Sequence, residues 1–170
     1  MQVEVIEGSI LQASADVIVN AANSHGIMGG GVAGVIKRAA GAAVEEEAMR
    51  QAPIPVGQAV LTSGGHTKFK GIIHAPTMPE PGMRIPAENV GKATRAALAL
   101  ADERGFVSIA LPGLGTGVGG VDVHDAAHQM IQAIKSFAGC ALQRVALVDL
   151  DPAMIAAWHT GNASGRPAEP

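Results

Sequence analysis

The feature that most constrains this chain is where its glycines fall. One cluster, Gly26-Ile27-Met28-Gly29-Gly30-Gly31, follows a short apolar run and opens a segment of helical pattern. A second, Gly113-Leu114-Gly115-Thr116-Gly117-Val118-Gly119-Gly120, repeats that context later in the chain. Strands that feed helices through glycine-rich turns belong to mostly parallel sheets, and both clusters would then lie at carboxyl ends of strands. Ligands bind at that edge, because glycines let the main chain approach closely and turn successive N–H groups toward one anion. Tight strand-to-helix turns also require glycine, so either cluster alone would say little. The pair points to a phosphate-bearing ligand.

The remaining pattern fits an α/β domain. Residues 3–6, 16–20, 58–62, 71–74, 107–111 and 144–148 read as strands. Residues 32–47, interrupted near Gly41, read as helix, as do 88–104, 122–137 and 152–158. Asp122 and Asp151 stand where N-caps belong, and the proline-rich residues 77–86 read as an ordered loop. The expectation is a three-layer α/β/α fold with a mixed, mostly parallel sheet over residues 1–160. Residues 161–170 lack apolar anchors and are expected to form a flexible tail.

Composition narrows the function. A chain of 170 residues, 48% of them hydrophobic, fills one core. Its 22 glycines against 2% aromatic residues give to the backbone work that rings do elsewhere. A net charge of -3 leaves no broad basic face, which argues against sequence-specific nucleic-acid binding. No apolar run approaches the ~18 residues of a membrane span, and no basic-then-apolar leader opens the sequence, so a cytoplasmic place without a membrane partner is expected. Cys140, the single cysteine, has no disulfide partner and reads as a small buried hydrophobe. His124 and His128 stand four apart without a third ligand, so no metal is expected, and no cofactor either. Asn20 and His74, at ends of apolar runs, read as structural. Gly115, Gly117 and Gly120 match the spacing of a dinucleotide fingerprint, but the acidic residue expected about 20 positions later is missing. A nicotinamide-dependent oxidoreductase is therefore an outlying alternative.

Val17-Ile18-Val19-Asn20-Ala21-Ala22-Asn23, followed by Gly29-Gly30-Gly31-Val32-Ala33-Gly34, closely resembles the first signature of macrodomains, the ADP-ribose-binding modules. Leu111-Pro112 and Gly115-Thr116-Gly117-Val118 resemble the second. The resemblance covers roughly residues 1–158 and implies ADP-ribose, free or attached to a protein, held in a crevice across the top of the sheet. It implies that Gly115, Thr116, Gly117, Val118 and Gly119 cradle the diphosphate, with Ala22, Gly30, Gly31 and Val32 on the other side. Asn23 would hydrogen-bond the distal ribose, and Ser9, Ile10 and Leu150 would surround the adenine.

Departures from the family pattern bear on affinity and chemistry. Gly8-Ser9-Ile10 stands where relatives commonly carry an aspartate for the adenine amino group, and Gly119 and Leu150 replace aromatic residues. Loss of base stacking, about 1 to 3 kcal/mol, weakens binding about tenfold or more. Gly30-Gly31-Val32-Ala33-Gly34 lacks the acid of one hydrolytic branch and is similar to the alanine-containing form of archaeal and viral members. Asn23 and His25 are then the catalytic candidates for metal-independent hydrolysis at the distal ribose, of a protein mono-ADP-ribosyl ester or of ADP-ribose 1''-phosphate. The alternative is a non-catalytic ADP-ribose reader.

Overall fold

Strands covered on both faces need apolar residues at nearly every position, and the central strands of this chain supply them. The computed structural model describes residues 1–163. Its six strands are β1 (Gln2–Glu7), β2 (Val17–Asn23), β3 (Val60–Thr62), β4 (Gly71–Met78), β5 (Ser108–Leu111) and β6 (Arg144–Asp149). They form one sheet in the order β1-β6-β5-β2-β4-β3, in which only β3 runs antiparallel to its neighbour. Five helices cover it: α1 (Gly31–Ala40), α2 (Ala42–Arg50), α3 (Glu88–Glu103), α4 (Val123–Ser136) and α5 (Pro152–Ala163).

Alternation along the strands divides the core into two layers. Val17, Val19, Ile73, Ile109, Leu111 and Leu147 pack with α3, α4 and α5, where Trp158 is fully buried. Ile18, Ile72, Ala110 and Val148 pack instead with Ile36 and Ala40 of α1 and Val44 of α2. The expected three-layer architecture with a mixed sheet is thus observed. Asp16 joins its strands at the amino edge: Oδ2 accepts from the Val107 N–H at 2.8 Å, and Lys70 Nζ lies 3.2 Å from Oδ1. Burial alone would raise the Asp16 pKa, but these donors outweigh it and hold the carboxyl below its ordinary value.

Several elements differ from the sequence expectation. β4 does not stop at His74 but continues through Pro76 to Met78. Proline is tolerated there because β3 pairs with β4 only as far as Val60 opposite His74, so no ladder on that side needs a Pro76 N–H. α5 runs to Ala163, three residues into the segment expected to be a tail; the rest of that segment lies outside the described residues. Cys140 is exposed rather than buried. It sits in a turn wrapped around Asp102, whose Oδ1 accepts from the N–H groups of Cys140, Ala141 and Leu142 at 2.8 to 2.9 Å, so main-chain bonds rather than side-chain burial hold it.

His74 is structural, as expected. Asn20 Nδ2 donates to His74 Nδ1 at 3.2 Å, which leaves the proton on Nε2 to be donated to Thr62 Oγ1 at 2.9 Å. Burial lowers its pKa from 6.5 to about 4, against a smaller opposing pull from the Glu47 carboxylate. The unfolded chain therefore takes up a proton on this ring at higher pH than the folded one does. The neutral ring costs the fold nothing above pH 6.5, and stability falls as pH drops from there toward 4. We expect urea unfolding to show a loss of up to ~1.4 kcal/mol per pH unit in that window from this group, and a shallower slope in His74→Gln.

Candidate functional site

Parallel strands bring the loops after β2, β4 and β5 to one edge, where they enclose a cleft of about 400 Å³. That volume suits a small ligand. Residues 29–33 form one wall and 115–119 part of the other, with Ala21, Ala22 and Asn23 between them and Thr77, Met78, Pro81 and Gly82 toward β4. Of the residues expected at a site, Ala22, Asn23, Gly30, Gly31, Val32, Gly115, Thr116, Gly117, Val118 and Gly119 are brought together here. Ser9, Ile10 and Leu150 do not line the cleft; they follow β1 and β6 at the same carboxyl edge. Ser9 Oγ accepts from the Leu11 N–H at 3.2 Å, Ile10 is buried, and Leu150 is 71% exposed. His25 also stands outside the lining, with Nε2 2.7 Å from Glu80 Oε2 on the exposed rim.

The first wall is shaped by side chains that leave its amides free. A register shift between Ala22 and Asn23 re-aims the end of β2. Asn23 then clamps its own loop: Oδ1 accepts from the N–H groups of His25 at 3.0 Å and Ile27 at 3.3 Å, while Nδ2 donates to the Ile27 carbonyl at 2.9 Å. Glu45 accepts from the Met28 N–H at 2.6 Å and pairs with Lys37 at 2.8 Å, and the Lys37 bond holds its carboxyl below the ordinary range. α1 begins behind Gly30 with no side-chain cap, and its first intrahelical bond is Gly34 N–H to the Gly30 carbonyl. Among the described residues, the N–H groups of 29–33 have no acceptor. α4 and α5 are capped, by Asp122 and Asp151, whereas α2 and α3, like α1, carry no side-chain cap.

The second wall repeats the principle without a helix end. Asp149 Oδ2 accepts from the Gly113 N–H at 2.9 Å, and the turn closes through Val121 N–H to the Gly115 carbonyl at 3.0 Å. The N–H groups of 115–119 are left without acceptors among the described residues. Gly115 holds φ +76, a conformation that favours glycine, and a Cβ there would lie 2.7 Å from Val90 Cγ2. Gly29, Gly30 and Gly117 differ: a Cβ on any of them would meet only open space. Among the described residues no charged side chain lines the cleft, whose polar side chains there are Asn23, Thr77 and Thr116. Two runs of unpartnered amides, one reinforced by the positive end of the α1 dipole, make a site for a charged oxyanion without lysine or arginine.

The sequence profile of the Macro domain family matches residues 19–130, which includes both walls. The chain belongs to the Macro domain family. An uncharacterized protein of Aquifex aeolicus is 57% identical over 159 residues, covering 94% of this macrodomain and 96% of that protein. One of Aeropyrum pernix is 53% identical over 132 residues, covering 78% and 70%. Among solved structures, a mutant of the Oceanobacillus iheyensis macrodomain with ADPR superposes with a TM-score of 0.85 at 26% identity, covering 95% of this chain and 92% of that one. The Trypanosoma brucei macrodomain in complex with ADP-ribose gives 0.83 at 25% identity, covering 94% and 68%.

Sequence reasoning missed the β4 side of the cleft, Thr77, Met78, Pro81 and Gly82, because Pro76 reads as a strand terminator. The signal available was Ala75, an apolar residue continuing the run beyond His74. Within one loop of this macrodomain, Gly115→Ala should lower stability by about 2 kcal/mol or more through left-handed strain and overpacking. Gly117→Ala should stay within about 0.5 kcal/mol. Thermal melts of the two variants check the contrast.

Proposed function

We propose that the cleft binds ADP-ribose, free or as the terminal group on a modified protein. The diphosphate lies between the amides of 29–33 and 115–119, the distal ribose toward Thr77 on the β4 side, and the adenosine toward Ser9, Ile10 and Leu150. The observation that carries this reading is the convergence, among the described residues, of two runs of unpartnered amides on a cleft without charged side chains. Charge-assisted bonds to backbone donors are strong, and a diphosphate offers acceptors to both walls at once. Support also comes from the relatives that hold ADP-ribose in the same fold. With aliphatic Leu150 in place of a stacking ring, affinity is modest, in the micromolar range.

Hydrolysis at the distal ribose is the second reading, and His25 favours it. A carboxylate on one imidazole nitrogen, as Glu80 supplies at 2.7 Å, leaves the other nitrogen free to accept a proton. Asn23 would contribute by fixing the loop that carries His25, since its Oδ1 accepts the His25 N–H. Without that chemistry the module is a reader.

Calorimetric titration should give micromolar binding of ADP-ribose. Gly30→Ala and Gly117→Ala, whose methyl groups would stand in open cleft space, should each weaken it about tenfold without loss of fold. Unaltered affinity in both variants would contradict the proposed pose. A release assay with a mono-ADP-ribosylated acidic-residue substrate and with ADP-ribose 1''-phosphate separates the two readings. Release that falls sharply in His25→Ala, at unchanged ADP-ribose affinity, makes the module a hydrolase; no release by the parent protein makes it a reader.

A further inference from the structure

Among the described residues that line the cleft, Thr77 is the one whose polar side chain is both buried in place and unused. It is 1% exposed, yet it lines the cleft. Its hydroxyl has no hydrogen-bond partner among the described residues, and it is not among the sealed orphan atoms, which there are Asn20 Oδ1 and Trp158 Nε1. What little of Thr77 meets solvent therefore includes the hydroxyl, and the cleft is the cavity that Thr77 lines. The other polar side chains are differently disposed. Asn23 already makes three bonds within its own loop, and Thr116 belongs to the wall of free amides.

The backbone holds Thr77 in a defined place. Register passes from Ala22 opposite Pro76 to Asn23 opposite Met78, so Thr77 is the residue that the shift leaves unpaired with β2. Its carbonyl accepts from Asn89 Nδ2 of α3 at 2.9 Å. A side chain on a bulged but anchored strand is re-aimed and yet rigid. β4 lies two strands from β5, beyond β2, which puts Thr77 ~10 Å across the sheet from the start of the second wall. That is the reach of a sugar extending from a diphosphate held between the walls, on the side away from β6 and β1.

We infer that Thr77 is a specificity-determining residue, its hydroxyl hydrogen-bonding the hydroxylated sugar beyond the diphosphate and so separating ADP-ribose from ADP. The inference rests on the binding reading above and adds to it which atom distinguishes the ligand's terminal group. ADP shares the adenosine and the diphosphate but carries nothing to meet Thr77, so its affinity is independent of that hydroxyl. A site built to hydrogen-bond a substrate hydroxyl discriminates against the analogue that lacks it.

The test is calorimetric titration of the full chain and its Thr77→Val and Thr77→Ser variants with ADP-ribose and with ADP, alongside thermal melts. The parent protein should prefer ADP-ribose. Thr77→Val, nearly isosteric, should lose about fivefold in ADP-ribose affinity while ADP affinity stays within about twofold. Thr77→Ser, which keeps the hydroxyl, should retain the preference. Equal losses for both ligands in Thr77→Val would make Thr77 a shaping residue and overturn the inference, as would no loss for either. Should the valine variant not fold, loss of the preference in Thr77→Ala decides in favour, and its retention against. A parent protein that binds ADP-ribose and ADP equally also overturns the assignment while leaving the binding reading intact. One that binds neither removes both.

Discussion

Backbone N–H groups without an acceptor are unfavourable wherever water cannot reach them, and folded chains leave few. This chain gathers them at one sheet edge, in residues 29–33 and 115–119, and keeps them open to a cleft. Much else in the molecule can be understood as support for that arrangement. Asn23 and Glu45 fix the first loop from behind, and Asp149 and the Gly115–Val121 bond fix the second. Each of these supporting groups satisfies amides outside the two runs, and none competes for those within them.

The second loop is also packed closely at its end. A Cβ on Gly119 would lie 2.7 Å from the Gly115 carbonyl and 3.2 Å from Ile85 Cγ1, so the space beside this loop is already filled. No side chain fits at 119 unless the Gly115 carbonyl itself moves, and Ile85, whose N–H donates to the Gly119 carbonyl at 3.0 Å, closes the other side. Glycine at 119 is thus packed against the neighbouring backbone and Ile85 rather than flanked by a hole.

How much of this was legible beforehand depended on whether the determining physics was local. Alternating strands and helices, the Asp122 and Asp151 caps and the two glycine loops are written in neighbouring residues, and they appear where the pattern places them. β4 was read too short because the effect of Pro76 depends on where β3 ends, a tertiary fact. Thr77 was invisible for the same reason. Cys140 misled because burial of a small thiol is a tendency, while the Asp102 carboxylate that organises its turn lies on another element. Ser9, Ile10 and Leu150 were joined to the cleft by resemblance, whereas His25 was placed as the imidazole nearest the glycine triplet in the chain; its exposed pairing with Glu80 is a contact between loops that spacing could not reveal.

The segment 79–87 is tied to both lips of the crevice. At its start Met78 accepts from Ser24 N–H at 3.0 Å, and near its end Ile85 grips Gly119. Such a brace ties the two lips to a single stretch of chain. A change in the gap between the lips then has to break one of these bonds or bend the strip that joins them.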